Sequence, residues 1–201
     1  YYDRLGNINS LVVMNGFATS LISNNNHKDD GKFRYFGTIT PDRLMPQLWS
    51  ALALIPADER PYLEFYGELE LLESYLKMNF PSILPFVSLN SPIDHQKAIE
   101  LMRQSKGLLF TETSDEKHDS QKGVLTTKLF EYFAVNKPII AIISESTLAG
   151  RLIKDSGLGR VVSLDVEKIK NSFYDSSELQ VRMDVISEYS RDNQFSKVIG
   201  L

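Results

Sequence analysis

Apolar residues fall along this chain in short blocks, separated by stretches whose apolar positions recur every three or four residues. Residues 11–14 (Leu-Val-Val-Met) form the first block, stopped by the turn-forming pair Asn15-Gly16, and read as a short strand. Blocks at 33–37, 62–66, 83–89, 108–110, 139–143 and 161–164 are also of strand length and rich in β-branched or aromatic residues. Between them Leu44, Leu48, Leu52 and Ile55 keep helical spacing, as do Leu71, Leu72, Tyr75 and Leu76. Helices are predicted again from about Asp94 to Gln104, through Leu129, Phe133 and Ala134, and over 148–154, with weaker patterns towards the end. Residues 23–31 are polar, with three successive asparagines, and predict a loop.

Strands alternating with helices of this length imply βαβ units and a parallel sheet covered on both faces. The nearly unbroken apolar run at 139–143 suits a central strand buried on both sides. The expected fold is therefore a doubly wound, Rossmann-like α/β domain of about six strands, a single domain over 1–201. In such sheets ligands sit beyond the carboxyl ends of the strands, which directs attention to the residues just after each one.

Composition narrows the choices. Apolar content of 42% and charged content of 24% are ordinary for a globular protein. A net charge of −4 argues against a general nucleic-acid binder. With no cysteine, disulfides and thiolate metal sites are excluded. His27, His95 and His118 show no ligand spacing, so no metal site is expected. No apolar run reaches the length of about 20 residues that a membrane span requires. The chain opens on Tyr1-Tyr2-Asp3-Arg4 rather than on methionine or a signal peptide, so it is expected to begin in mid-protein.

The most informative stretch is 123–140, Gly-Val-Leu-Thr-Thr-Lys-Leu-Phe-Glu-Tyr-Phe-Ala-Val-Asn-Lys-Pro-Ile-Ile. Thr126 and Thr127 are good N-cap residues ahead of a run of helix formers. Unpaired N–H groups at such a helix start favour an anion, and Lys128 adds a positive charge there. Glu131 lies about one turn further on the same face. A cation beside a carboxylate can meet phosphate while the carboxylate accepts from sugar hydroxyls. The plainer reading of the same spacing is an exposed ion pair of little energetic consequence.

The wording around these residues decides between the two. Lys-Leu-Phe-Glu-Tyr-Phe-Ala followed by Asn-Lys-Pro-Ile-Ile-Ala resembles the signature of the C-terminal, donor-binding domain of GT-B glycosyltransferases, family 4 (group 1) above all. Asn136 takes the place of a glycine, a tolerable exchange where a left-handed residue ends a helix. Val13-Met14-Asn15-Gly16-Phe17 is similar to the family's Asn-Gly-Phe-Asp turn, with Ala18 in place of the acid. Tyr35-Phe36-Gly37-Thr38 and Phe65-Tyr66-Gly67 resemble its first two glycine-ended strands, and 152–157 a helix end. The resemblance covers roughly residues 11–195.

That resemblance implies one half of a GT-B fold binding a nucleoside-diphosphate sugar, UDP- or GDP-linked, with no cofactor and no metal required. Gly37, Thr38, Arg43, Thr126, Thr127 and Lys128 would lie against the donor diphosphate. Glu131 would bind the ribose hydroxyls, and Ser88 and Leu89 would border the nucleobase. The implied reaction is hexosyl transfer, with retention of configuration, to a glycan, lipid-linked or other acceptor in polysaccharide biosynthesis. The acceptor-binding N-terminal domain would be the partner missing from this chain, and the isolated domain would bind nucleotide weakly and transfer nothing. The implied setting is cytoplasmic, at the inner face of the membrane where the acceptor is lipid-linked.

The chain departs from the family pattern at two further points, both in the expected donor site. Gly123 stands where the first of two glutamates is common, and Thr38 where an arginine is common, with Arg43 near the usual lysine. Two other readings therefore stay open: a nucleotide-sugar 2-epimerase of GT-B architecture, and a non-catalytic GT-B-like partner subunit. The acidic run at 112–119 lacks periodicity and reads as a solvated loop, although Glu112 and Thr113 follow a strand and so edge the expected pocket.

Overall fold

A computed structural model of the chain describes residues 11, 13–22, 28–112, 123, 125–175 and 179–200. Val12, residues 23–27 of the predicted loop (with His27) and residues 113–119 (with Thr113 and His118) lie outside the described residues.

Six parallel strands make one sheet: β1 (Phe33–Phe36), β2 (Leu63–Tyr66), β3 (Val87–Asn90), β4 (Gly107–Phe110), β5 (Ile139–Ala141) and β6 (Gly159–Val161). Their order is β3-β2-β1-β4-β5-β6, so the chain winds outward in one direction from β1, then returns and winds in the other from β4. Helices α1 (Pro46–Ala53), α2 (Glu70–Asn79), α3 (His95–Gln104), α4 (Thr127–Val135), α5 (Leu148–Ser156) and α6 (Val166–Ser172) connect or follow the strands. Two further helices, α7 (Met183–Ser187) and α8 (Arg191–Ile199), close the described chain.

Both faces of the sheet are covered, and strands β4 and β5 present apolar side chains to each of them. Leu109 of β4 and Ile140 of β5 face a core that includes Leu48 and Trp49 of α1, Leu72 and Leu76 of α2 and Ile169 of α6. Leu108, Phe110, Ile139 and Ala141 face the opposite core, with Ile99 and Met102 of α3, Leu129 and Phe133 of α4 and Ile153 of α5. Each such side chain contributes roughly 1.5–3 kcal/mol by leaving water. The doubly wound architecture expected from the apolar pattern is the one observed.

The fifth strand ends at Ala141, two residues before the apolar run does, and three other element boundaries differ from the sequence reading. Residues 11 and 13–14 form no strand: Leu11 and Val13 are exposed, and the Met14 N–H is bound instead by the Gln194 side chain at 2.9 Å. Phe17 is pinned by an isolated parallel bridge to Ser190 just before α8. The third strand begins at Val87, not Ile83, because the stretch Pro81–Phe86 coils as a 3-10 helix carrying two prolines, which cannot donate to a ladder. The sixth strand lies earlier, at Gly159–Val161; beyond it Ser163 takes a left-handed conformation and Leu164 turns outward.

Among the described residues no helix is long and apolar enough to cross a membrane.

Candidate functional site

The winding direction reverses between β1 and β4, and the carboxyl ends of these adjacent strands leave a crevice between their outgoing loops. On the β1 side the loop begins at Gly37, held at φ 131°, a conformation that favours glycine. A Cβ there would stand 3.1 Å from the Lys128 ammonium, so the absent side chain is what lets this backbone meet Lys128. Gly67, after β2, is tighter still: a Cβ would fall 2.2 Å from the Gly37 carbonyl oxygen. The two glycine loops thus pack on each other, and beside them a cleft of about 310 Å³ opens between Gly37, Thr38, Gly67, Pro92 and Ile93.

On the β4 side the strand runs into Thr111 and Glu112, both buried. The Glu112 carboxylate accepts a hydrogen bond from Arg43 Nη2 at 2.8 Å and another from the Thr126 hydroxyl. Arg43 arrives from the 3-10 turn Pro41–Arg43 that follows the Gly37 loop. Its Nε and the Thr40 hydroxyl are buried without a hydrogen-bond partner among the described residues.

Helix α4 starts over the same crevice. Thr126 has the extended backbone of an N-cap, yet its side chain does not cap the helix, because it is engaged by Glu112. The first-turn amides of α4 therefore lack a side-chain acceptor from Thr126. Lys128 is half-buried: its ammonium lies 4.1 Å from the centre of the Tyr35 ring and donates to the Tyr35 hydroxyl at 3.1 Å. Burial pushes this ammonium down to about 8; Glu112 and Glu131 resist the shift, and Arg43 reinforces it. Burial raises the Tyr35 phenol to about 12, so it stays neutral and serves as an acceptor. One turn on, Glu131 places Oε1 3.0 Å from Nε2 of His95, the first residue of α3.

Lys128 and Glu131 thus do not form the exposed pair that their spacing allows; each is bound by a different neighbour across the crevice. The structure brings Gly37, Arg43, Thr126, Lys128 and Glu131 to one place. Thr38 is exposed at the cleft. Thr127 is exposed on the outer side, where it lines a shallow hollow with Met14, Gly16 and Gln194. Ser88 and Leu89 lie inside β3, opposite Glu64 and Phe65, at the sheet edge two strands from β1. Because that strand ends at Asn90, it is Pro92 and Ile93 that reach the cleft. Gly123 is an exposed turn residue with no atom near a would-be Cβ.

Tyr35 and His95 are the site residues that sequence reasoning missed, and Glu112 was read only as a pocket edge. No local spacing reveals Tyr35 or His95, whose partners are 93 and 36 residues away. The rule of looking just past each strand does find Glu112.

No protein-family model matches the chain, and no curated protein matches it in sequence. Solved structures do resemble it. AviGT4, a glycosyltransferase involved in avilamycin A biosynthesis, superposes with a TM-score of 0.66 at 10% identity, over 97% of this chain and 58% of that one. Anabaena HepE, in complex with UDP-glucose, gives 0.65 at 15% identity, over 95% and 57%. The UDP-GlcNAc 2-epimerase of Methanocaldococcus jannaschii gives 0.55 at 10%, over 85% and 45%. The chain therefore spans about half the length of these proteins, and at such identities the likeness is one of fold: a six-stranded, Rossmann-like domain of the kind that forms one half of GT-B enzymes.

Proposed function

We propose that this chain is the nucleotide-sugar-binding half of a glycosyltransferase, completed by an acceptor-binding domain across the crevice. The observation that carries the reading is the placement of Lys128 and Glu131 one turn apart at the start of α4, with Lys128 against Gly37 at the sheet's switch point. In this reading the diphosphate of a UDP- or GDP-linked sugar lies against the Gly37 loop, the first amides of α4, Arg43 and Lys128. Glu131 exchanges His95 for the ribose hydroxyls. The chemical task of these groups is to stabilise negative charge on the departing diphosphate, which amides and two cations can do without a metal ion. Transfer proceeds with retention, and a lipid-linked acceptor would set the reaction at the inner face of a membrane. The UDP-glucose bound by the Anabaena neighbour supports the choice of ligand class.

Calorimetric titration of UDP and GDP into the 201-residue chain tests the site. Wild type should bind one of them. Lys128→Met and Glu131→Ala should each weaken binding about tenfold or more, a loss of about 1.4 kcal/mol. No binding by wild type, or unchanged affinity in both variants, would sink the assignment.

The likeness to a UDP-GlcNAc 2-epimerase supports a second reading, an epimerase that needs no sugar acceptor. Product analysis of the complete protein separates the two: an epimerised nucleotide sugar formed without acceptor favours the epimerase.

A further inference from the structure

We propose that Glu112 sets the charge of the diphosphate site so that the free nucleoside diphosphate, the more highly charged ligand, is disfavoured relative to the nucleotide sugar. The inference rests on the nucleotide-sugar reading above.

The argument starts from the ligands. In a nucleotide sugar both phosphates are diesters carrying one charge each. Breaking the bond between the sugar and the terminal phosphate leaves that phosphate joined only through the anhydride bridge, with a second ionisation near pH 6 that adds up to about one more negative charge at neutral pH. A site built only of cations and helix amides would grip that by-product harder than the donor.

The structure supplies a counterweight. Glu112 is 5% exposed and sits among the groups that would receive the diphosphate. One carboxylate oxygen holds Arg43 at 2.8 Å, and the other holds the hydroxyl of Thr126 at the start of α4. Its charge also acts on Lys128. Glu131, the other nearby carboxylate and a residue of α4, is engaged by His95. Arg43 therefore meets a ligand with its charge already balanced by Glu112, which leaves the site one positive charge poorer than Arg43 and Lys128 alone would make it. A buried carboxylate at this position costs affinity for any anion, and the cost grows with the anion's charge.

A simpler role would be mechanical: Glu112 only aims Arg43 and Thr126. The two roles give opposite results on Glu112→Gln, which keeps the shape and removes the charge. Discrimination predicts that both ligands tighten, UDP by about tenfold and UDP-glucose by about threefold. Aiming predicts that both weaken to the same degree.

The experiment is a titration of the 201-residue chain with UDP and with UDP-glucose at neutral pH, for wild type, Glu112→Gln, Glu112→Ser and Lys128→Met. Thermal melting of each variant monitors the fold, and the serine variant serves should the glutamine crowd Arg43. The expected result is a drop of about threefold or more in the ratio of UDP to UDP-glucose dissociation constants in both Glu112 variants. An unmoved ratio there, with binding lost in Lys128→Met, overturns this inference and leaves the site assignment standing. Affinity unchanged in Lys128→Met overturns both.

Discussion

Lys128 occupies the first turn of α4, where the helix's positive end and Arg43 both oppose a second cation and burial strips its water. Its ammonium consequently loses its proton near 8 in the folded chain, against 10.5 for an ordinary lysine. Between these values the unfolded chain binds the extra proton, so stability rises with pH across that window. Below it the cost of keeping the charge is present in full. Replacing Lys128 by methionine should therefore stabilise the fold at pH 7 by about 1–3 kcal/mol, an advantage that fades towards pH 10.5. Urea denaturation at pH 7 and pH 10 measures it; equal gains at both pH values would contradict the account. The same titration predicts that nucleotide affinity falls above pH 8, with Glu112, Glu131 and Arg43 as the charged neighbours and Tyr35 remaining neutral. Lys128 and Glu131 were legible in the sequence because one helix carries both. Tyr35 and His95 were not, because only the sheet order and the start of α3 bring them near.

At the level of elements, what the sequence foretold best was whatever a single segment decides alone. The end of α4 is one case: Asn136 has φ 52° and ψ 48°, the left-handed residue expected from its place in the motif. Asn136→Ala should cost about 1 kcal/mol, whereas Asn136→Gly should fall within about 0.5 kcal/mol of wild type. Equilibrium denaturation of the two variants checks this, and an alanine as stable as the glycine would contradict it. The central strands were equally legible, since β4 and β5 must be apolar on both faces. Segments whose pairing depends on distant chain were misjudged. Residues 11–14 look like a strand, but the described ones, 11, 13 and 14, find no sheet edge, and Ile83 belongs to the 3-10 approach to β3. The contact between the Gly37 and Gly67 loops was likewise invisible, because glycine shows that space is needed but not what fills it.

Across the whole molecule the least expected feature is an ionic network on the sheet, joining β1 to β2. Arg34 is 2% exposed and holds Glu64, its cross-strand partner, through Nε at 2.8 Å. Asp30, Ser105 and the Leu101 carbonyl take its remaining donors, while Lys32 and Tyr66 complete the partners of Glu64. Burial alone would raise the Glu64 carboxyl, but hydrogen bonds from Lys32, Arg34 and Tyr66 outweigh it and hold the carboxyl below its ordinary 4.5. That contribution is complete above 4.5 and is lost as pH falls through the lowered value. Glu64→Gln should cost about 1.5–3 kcal/mol at pH 7, because it removes a charge-assisted bond to a buried guanidinium that keeps Asp30 as its other carboxylate, and it should flatten the acid side of the stability curve. Chemical denaturation from pH 3 to 7 reads both effects.

The bridge between Phe17 and Ser190 has a consequence of another kind. The segment entering the fold and the segment leaving it are fastened to each other at one spot, while the exposed turn at 56–58 lies elsewhere in the fold. Order along the polypeptide is therefore separable from architecture. A short splice joining the two fastened segments, with a new opening cut at that turn, would give a reordered chain that builds the same sheet and the same crevice.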